Sequence, residues 1–235
     1  MGKAFGGTFD KEHDMIDLIH GDCMEYMKDL PDKYFDLAIV DPPYGIGFDG
    51  HHTITKEGHK GFSAKKELHV KKDWDNQRPS AKYFTELQRI SKNQIIWGGN
   101  YFADLLPVSR GWIFWDKKIT NANNTNFSDG ELAWTSFNGI LRRFTYDWIG
   151  FGYLNNPQRE KKIHPTQKPV QLYRWINDTY ATPNMKIIDT HLGSGSSAIA
   201  AFDGGFDFVG IEIDKEYFDA ASSRFANHKL QLKLF

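Results

Sequence analysis

Lys186-Ile187-Ile188-Asp189-Thr190-His191-Leu192-Gly193-Ser194-Gly195-Ser196-Ser197 decides the fold. A short β-rich run ends at Asp189, and helical spacing starts at residue 195. Glycines at a strand-to-helix junction permit a tight turn and close approach of a ligand to the backbone, while the helix N-terminus offers free N–H groups. A lone Gly-x-Gly carries little weight. Here a second β run leads into Gly210-Ile211-Glu212-Ile213-Asp214. Glu212 therefore falls about 20 residues beyond the glycines, the spacing at which a carboxylate accepts the hydroxyls of a ribose. The pair suits a nucleoside-containing cofactor; the bland alternative is a structural turn followed by a surface Glu.

Outward from this stretch the same alternation runs through the chain. β-rich runs fall at residues 17–20, 35–40, 94–97, 112–115, 131–135, 186–189 and 206–211, several of them near-continuous apolar stretches of the kind buried on both faces. Helical spacing occupies 80–91, 168–181, 195–204 and 214–228. Strand alternating with helix predicts a doubly wound α/β sheet. Two stretches lack periodicity: 45–79, rich in Gly, His and Lys, and 117–130, rich in Asn and Thr. Both are expected to be substrate-contacting loops, the first of them mobile. At 235 residues a single domain over 1–235 is expected, with a small recognition region at about 117–162.

The composition narrows the class. With 29 Lys plus Arg against 30 Asp plus Glu the formal net charge is -1, which argues against coating nucleic acid by bulk charge. By segment the picture differs: residues 1–50 hold 4 basic and 11 acidic side chains and residues 183–235 hold 5 and 7, which leaves the middle at a net +8. Apolar residues at 40% and aromatics at 15% suffice for a sizeable core. The single Cys23 excludes an internal disulfide framework and any Cys-cluster metal site, so no metal is expected. No apolar run is long enough to span a bilayer and no signal-peptide pattern is present. The expectation is a soluble, cytoplasmic protein.

Two further motifs carry chemistry. Asp41-Pro42-Pro43-Tyr44 ends the apolar run 35–40. Two prolines cannot continue a ladder, so the chain is forced outward, presenting Asp41, the Pro42 carbonyl and Tyr44 at the carboxyl edge of the sheet, where open α/β folds bind ligands. Two acceptors beside an aromatic ring suit a planar substrate bearing an amino group. His164-Pro165-Thr166-Gln167-Lys168-Pro169 precedes a helix. By itself it reads as a helix entry fixed by prolines, with Thr166 and Lys168 suited to a carboxylate-bearing ligand.

Together the three motifs resemble the beta group of amino-methylating DNA methyltransferases that use S-adenosylmethionine. In that group the Asp-Pro-Pro-Tyr motif comes first, a target-recognition region follows, and the His-Pro-Thr-Gln-Lys-Pro and glycine-rich motifs come last. The resemblance runs from about Leu18 to about Arg224. It implies a Rossmann-like class I methyltransferase sheet, circularly permuted in motif order, with seven mostly parallel strands and one of them antiparallel. It assigns Asp189, His191, Gly193 and Gly195 to the methionine side of the cofactor, Glu212 to its ribose, Thr166 and Lys168 to its carboxylate, and Asp22 to its adenine. Asp41, Pro42, Pro43 and Tyr44 become the catalytic tetrad. His191 departs from the family's usual Phe and is read as a packing residue, not a base.

The resemblance further implies methylation of adenine N6 in double-stranded DNA, because cytosine-N4 enzymes more often carry Ser at the head of the tetrad. Cytosine-N4 methylation, an RNA or protein substrate, and a non-catalytic DNA- or cofactor-binding role stay open as alternatives. Carbon-5 methylation is excluded, since it needs a Cys nucleophile and Cys23 follows Asp22 in a cofactor-side segment. Base flipping is required to reach a base in a duplex. Lys56, Lys60, Lys65, Lys66, Lys71 and Lys72 are the candidate DNA-facing cations, and Arg142 and Arg143 candidate sequence readers. Gln231-Leu232-Lys233-Leu234-Phe235 resembles a sliding-clamp docking peptide, with Leu234 and Phe235 as anchors, although a tail packed on its own domain is the simpler reading. Some relatives dimerise, so a homodimer is a further candidate, and the small size suits an orphan or phage-type enzyme of a restriction-modification setting in bacteria.

Overall fold

A computed structural model describes residues 15–47, 74–117, 128–148, 160 and 162–232, the Leu232 side chain excepted. In chain order they form β1 (Ile16–His20), α1 (Cys23–Met27), β2 (Phe35–Val40), α2 (Ala81–Ile90), β3 (Ser91–Trp97), a short 3-10 turn (Gly99–Tyr101), β4 (Trp112–Asp116), β5 (Gly130–Thr135), β6 (Arg142–Thr145), α3 (Val170–Tyr180), β7 (Lys186–Asp189), α4 (Ser196–Asp203), β8 (Asp207–Glu212) and α5 (Lys215–Leu232). All eight strands join one sheet in the order β1-β8-β7-β2-β3-β5-β4-β6. Strand β5 runs antiparallel to both neighbours, β3 and β4, and every other pairing is parallel.

The expected count of seven strands is therefore corrected to eight among the described residues, while the single antiparallel strand is present. The additional strand is β6, an edge strand paired only with β4. Arg142 and Arg143 in it are exposed. A strand with one neighbour and exposed leading residues has no apolar run to betray it.

Alternate residues of the central strand β2 supply two cores. Leu37 and Ile39 pack with Ile176 of α3, Ile199 of α4 and Phe225 of α5 on one face. Ala38 and Val40 pack with Phe84 and Leu87 of α2 and Met27 of α1 on the other. This is the period-two pleat acting on a continuous apolar run: both faces are covered, so no position needs to be polar. Helix α2 shows the complementary pattern, burying Tyr83, Phe84, Leu87 and Ile90 along a single stripe. No helix among the described residues is long and apolar enough to cross a membrane.

The order of crossovers locates the site. From β7 the chain passes through α4 to β8, toward β1; from β2 it passes through α2 to β3, in the opposite direction. Strands β2 and β7 lie side by side, Leu37 against Ile187 and Ala38 against Ile188. The loops leaving their carboxyl ends therefore diverge, opening the crevice in which ligands bind to doubly wound sheets. The first of those loops begins with Asp41, and the second follows Asp189, the last residue of β7.

Candidate active site

The loop after β7 is shaped by its own carboxylate. Asp189 is 1% exposed, and its two oxygens accept the His191 backbone N–H at 3.0 Å and the Ser197 hydroxyl at 2.6 Å. Burial pushes its carboxyl up to about 7 against those two donors. Gly193 and Gly195 take left-handed backbone conformations (φ +51° and +74°), and Gly195 caps α4. A Cβ on Gly195 would stand 3.3 Å from that of Ala221 in α5, so the small residue also sets helix spacing. Asp189 and Gly195 thus hold the turn, while His191, Gly193 and Glu212 face the crevice.

Glu212 ends β8 and is 8% exposed; its carboxylate accepts the Gly193 N–H at 2.8 Å and the Asp214 N–H at 2.9 Å. Each oxygen takes one donor, which leaves acceptor capacity for a pair of hydroxyls. Burial raises its carboxyl above the ordinary range, opposed by the two N–H groups. Asp22 lies at the neighbouring strand end, exposed, capping α1 through a 2.7 Å bond from the Met24 N–H. Cys23 beside it has its thiol pushed by burial up to about 12, so it stays protonated and is no nucleophile.

A cavity of about 240 Å³ is lined by Gly193 and Glu212 together with Asp41, Pro43 and Lys168. His164 and Tyr217 form an aromatic wall, ring centroids 4.2 Å apart, and Trp74 packs on His164 at 5.3 Å. Thr166 also lines the cavity, its hydroxyl 3.1 Å from His164 Nδ1. His191 is within reach of the Thr190 hydroxyl at 3.0 Å and Tyr83 OH at 3.5 Å; burial lowers its imidazole to about 4. A neutral ring suits a packing role.

The tetrad is tightly bound. Asp75, 3% exposed, accepts the backbone N–H groups of Tyr44 and Gly45 at 2.7 and 2.9 Å and so fixes the turn after the prolines. Tyr44 stacks on Tyr101, centroids 4.8 Å apart and planes within 17°, and its hydroxyl donates to Asp41 Oδ1 at 2.7 Å. Lys168 donates to Asp41 Oδ2 at 2.5 Å and stands 2.9 Å from Glu131 Oε2. Glu131 in turn pairs with Lys117 at 2.5 Å. Burial raises the Asp41 carboxyl, with the Lys168 ammonium opposing it. Burial alone would lower Lys168, but Asp41 and Glu131 outweigh it and raise the ammonium. Glu131 is held down at about 2 by Lys168 and Lys117 despite its burial.

Most of the residues singled out from sequence are thus brought to one carboxyl edge. Lys168 lines the cavity as expected, yet its ammonium is directed to the two carboxylates and not to open space. Arg142 and Arg143 lie apart, on the edge strand. Lys56, Lys60, Lys65, Lys66, Lys71 and Lys72 lie outside the described residues, as do Leu234 and Phe235. Helix α5 extends to Leu232, so Gln231 and Leu232 are helical. Sequence reasoning missed Asp75, Glu131 and Tyr101. Glu131 had a signal, a carboxylate inside the otherwise apolar run of β5; Asp75 and Tyr101 had none.

An open α/β sheet with a strand-end carboxylate, a glycine turn and an Asp-Pro-Pro-Tyr turn on one cavity has the architecture of a nucleoside-cofactor group-transfer enzyme. The profile of the N6_N4_Mtase family, described as DNA methylase, matches residues 96–223, more than half of the chain, and the chain belongs to that family. It is similar to the methylase YubD of Escherichia coli (strain K12), 27% identical over 236 residues that cover 90% of this chain and 91% of that one. The type II methyltransferase M.HinfI of Haemophilus influenzae is 26% identical over 249 residues, 88% of this chain and 67% of its own. Among solved structures, the M1.HpyAVI–SAM complex superposes with a TM-score of 0.55 at 22% identity, covering 89% of this chain and 99% of that chain. The PvuII DNA methyltransferase, described as cytosine-N4-specific, gives 0.54 at 12% identity, covering 91% and 93%. At these identities the two structures speak for the fold, a class I methyltransferase sheet.

Proposed function

We propose that this DNA methyltransferase moves the methyl group of S-adenosylmethionine to the exocyclic N6 of adenine in duplex DNA. The observation that carries the reading is the single cavity lined by Glu212, Gly193 and Asp41 together. The donor set fits the cofactor: Glu212 retains acceptor sites for two ribose hydroxyls, Gly193 lets the chain approach, and His164 with Tyr217 offers an aromatic wall. Asp22 at the adjoining strand end is the candidate for the adenine, and Thr166 for the carboxylate. When bound, S-adenosylmethionine supplies an electrophilic methyl group on a positively charged sulfur.

The amino nitrogen of adenine is a poor nucleophile because its lone pair is delocalised into the ring. Asp41 and the Pro42 carbonyl, accepting its two N–H bonds, favour a pyramidal nitrogen whose lone pair is free for in-line attack. As the bond from methyl to sulfur breaks, the nitrogen becomes positively charged and gives the proton it shares with Asp41 to that carboxylate, which passes it to solvent; catalysis rests on positioning and on stabilising that charge. Tyr44 must first give up Asp41 Oδ1, where its hydroxyl now stands. Its ring is then released to stack on a flipped base, as enzymes that act on a base within a duplex require. His191, neutral above about pH 4, packs and takes no proton.

Asp at the head of the tetrad favours adenine over cytosine within this family. The recognition region at about 117–162, the basic stretch at about 45–79, and Arg142 and Arg143 are assigned to DNA, with phosphate contacts setting position and a few base contacts setting sequence. Duplex DNA treated with the purified protein and labelled cofactor, then digested to nucleosides, decides the target. N6-methyladenine is expected; N4-methylcytosine alone overturns the assignment.

A further inference from the structure

The tetrad's carboxylate does not meet its counter-ion alone. The Lys168 ammonium, on a side chain 3% exposed, lies between two carboxylates: Asp41 Oδ2 at 2.5 Å and Glu131 Oε2 at 2.9 Å. Glu131 comes from β5, the one antiparallel strand, and its other oxygen is held by Lys117 at 2.5 Å. Its Oε2 is buried without an aligned hydrogen bond, so the contact with Lys168 is electrostatic. Nζ also donates to the Tyr44 hydroxyl at 3.3 Å, and the Trp97 ring lies 5.3 Å away.

A buried ammonium facing one carboxylate would close on it, and both lone-pair-rich oxygens would be drawn to the cation. A second carboxylate on the opposite side divides that attraction. We propose that Glu131 is a positioning residue for the catalytic carboxylate: by sharing the Lys168 ammonium it leaves Asp41 incompletely paired, an acceptor still open to the amino group of the target base. The proposal rests on the reading of Asp41 as that acceptor. It also gives Lys168 a task distinct from holding the carboxylate of the cofactor.

The groups that act on this cluster are few. Asp41 is faced by Lys168, by Glu131 and by the Tyr44 hydroxyl, with Tyr173 of α3 and Asp189 of β7 acting at longer range. Glu131 is faced by Lys168, Lys117 and Tyr173, and acts on Lys162. Glu131 raises both Asp41 and Lys168. Removing its charge therefore moves both titrations to lower pH. Removing Lys117 leaves Glu131 to draw more on Lys168, and the Asp41 titration moves the other way.

The test is single-turnover methyl transfer to duplex DNA between pH 5 and 9, at saturating cofactor, for the wild type, D41A, E131Q and K117M. Cofactor affinity is measured separately by calorimetry. D41A reports on the underlying reading: transfer at the wild-type rate sinks the role of Asp41 itself. With D41A inactive, E131Q is expected to lose at least about tenfold in rate at pH 8 and to carry the acid limb to lower pH. Cofactor affinity should stay within about twofold. K117M is expected to move the acid limb upward. An E131Q enzyme with wild-type rate, or one that is slow with unmoved limbs, overturns the inference and leaves Glu131 a structural ion. If E131Q does not fold, K117M decides: an acid limb that stays in place or moves downward overturns the proposal.

Discussion

Gly98 follows β3 with a left-handed backbone (φ +69°), and its N–H donates to the Leu132 carbonyl at 2.9 Å, so its position is fixed by the sheet. A Cβ added there would lie 2.2 Å from Tyr44 Cε1, 2.6 Å from Cδ1 and 2.7 Å from Cζ. The ring cannot easily retreat: Tyr101 stacks on it at 4.8 Å, Phe102 meets it edge-on at 6.2 Å, and its hydroxyl is tied to Asp41. Gly98→Ala therefore combines two costs. A non-glycine residue in the left-handed region costs about 1–2 kcal/mol, and overpacking against a held ring costs about 1–3 kcal/mol. A loss of about 2–5 kcal/mol is expected in urea unfolding, with methyl transfer reduced because the ring is pushed off the tetrad. The two costs separate in a double-mutant cycle. In Tyr44→Ala the ring is gone, so adding Gly98→Ala there should cost only the backbone share, and the cycle should return a coupling of about 1–3 kcal/mol. Gly98→Ala within about 0.5 kcal/mol of wild type, or strict additivity with Tyr44→Ala, would refute the reasoning.

Two further outcomes follow from the site. His191 is held at about 4, below the ordinary imidazole value of 6.5, so the folded state stays neutral where the unfolded chain takes up a proton. The stability tied to this difference is fully present above about pH 6.5 and is lost as pH falls toward 4, with a ceiling of about 3 kcal/mol. His191→Phe removes the loss, so thermal melts of variant and wild type should diverge in the variant's favour from pH 7 to 4.5; a constant gap contradicts the account. Asp75→Ala strips the acceptor from the Tyr44 and Gly45 N–H groups and should cost about 1–3 kcal/mol, with reduced methyl transfer. Asp75→Asn keeps an oxygen there and should cost less; equal effects in chemical denaturation would show that the hydrogen bonds are not the reason.

The legibility of this protein in its sequence follows the range of the interactions involved. Strands β2 and β7 are visible because both their faces are buried, and a run such as Phe35-Asp36-Leu37-Ala38-Ile39-Val40 needs no partner to be recognised. Strand β6 is not, because an edge strand opening on two exposed arginines carries no periodic burial. The glycine turn and the proline tetrad are visible because their backbones are dictated by the residues themselves. Asp75 is not, although it fixes the tetrad's shape, because it reaches back 31 residues to the Tyr44 N–H. That Asp189, expected at the cofactor, also anchors its own loop is not legible either: its oxygens accept the His191 N–H and the Ser197 hydroxyl only once the turn has formed.

The candidate turns are legible in residue order alone: local backbone constraint and a fixed spacing between glycines and Glu212 are properties of a short stretch of chain. What those groups face depends on the folded chain. Lys168 and Asp41 are separated by 127 positions, and Glu131 joins them from a third part of the chain. Which anions a buried lysine meets depends on which charges share its burial. That is settled by the crossover order of β2, β5 and β7, since desolvation makes an ammonium seek whatever anions the fold has placed within reach.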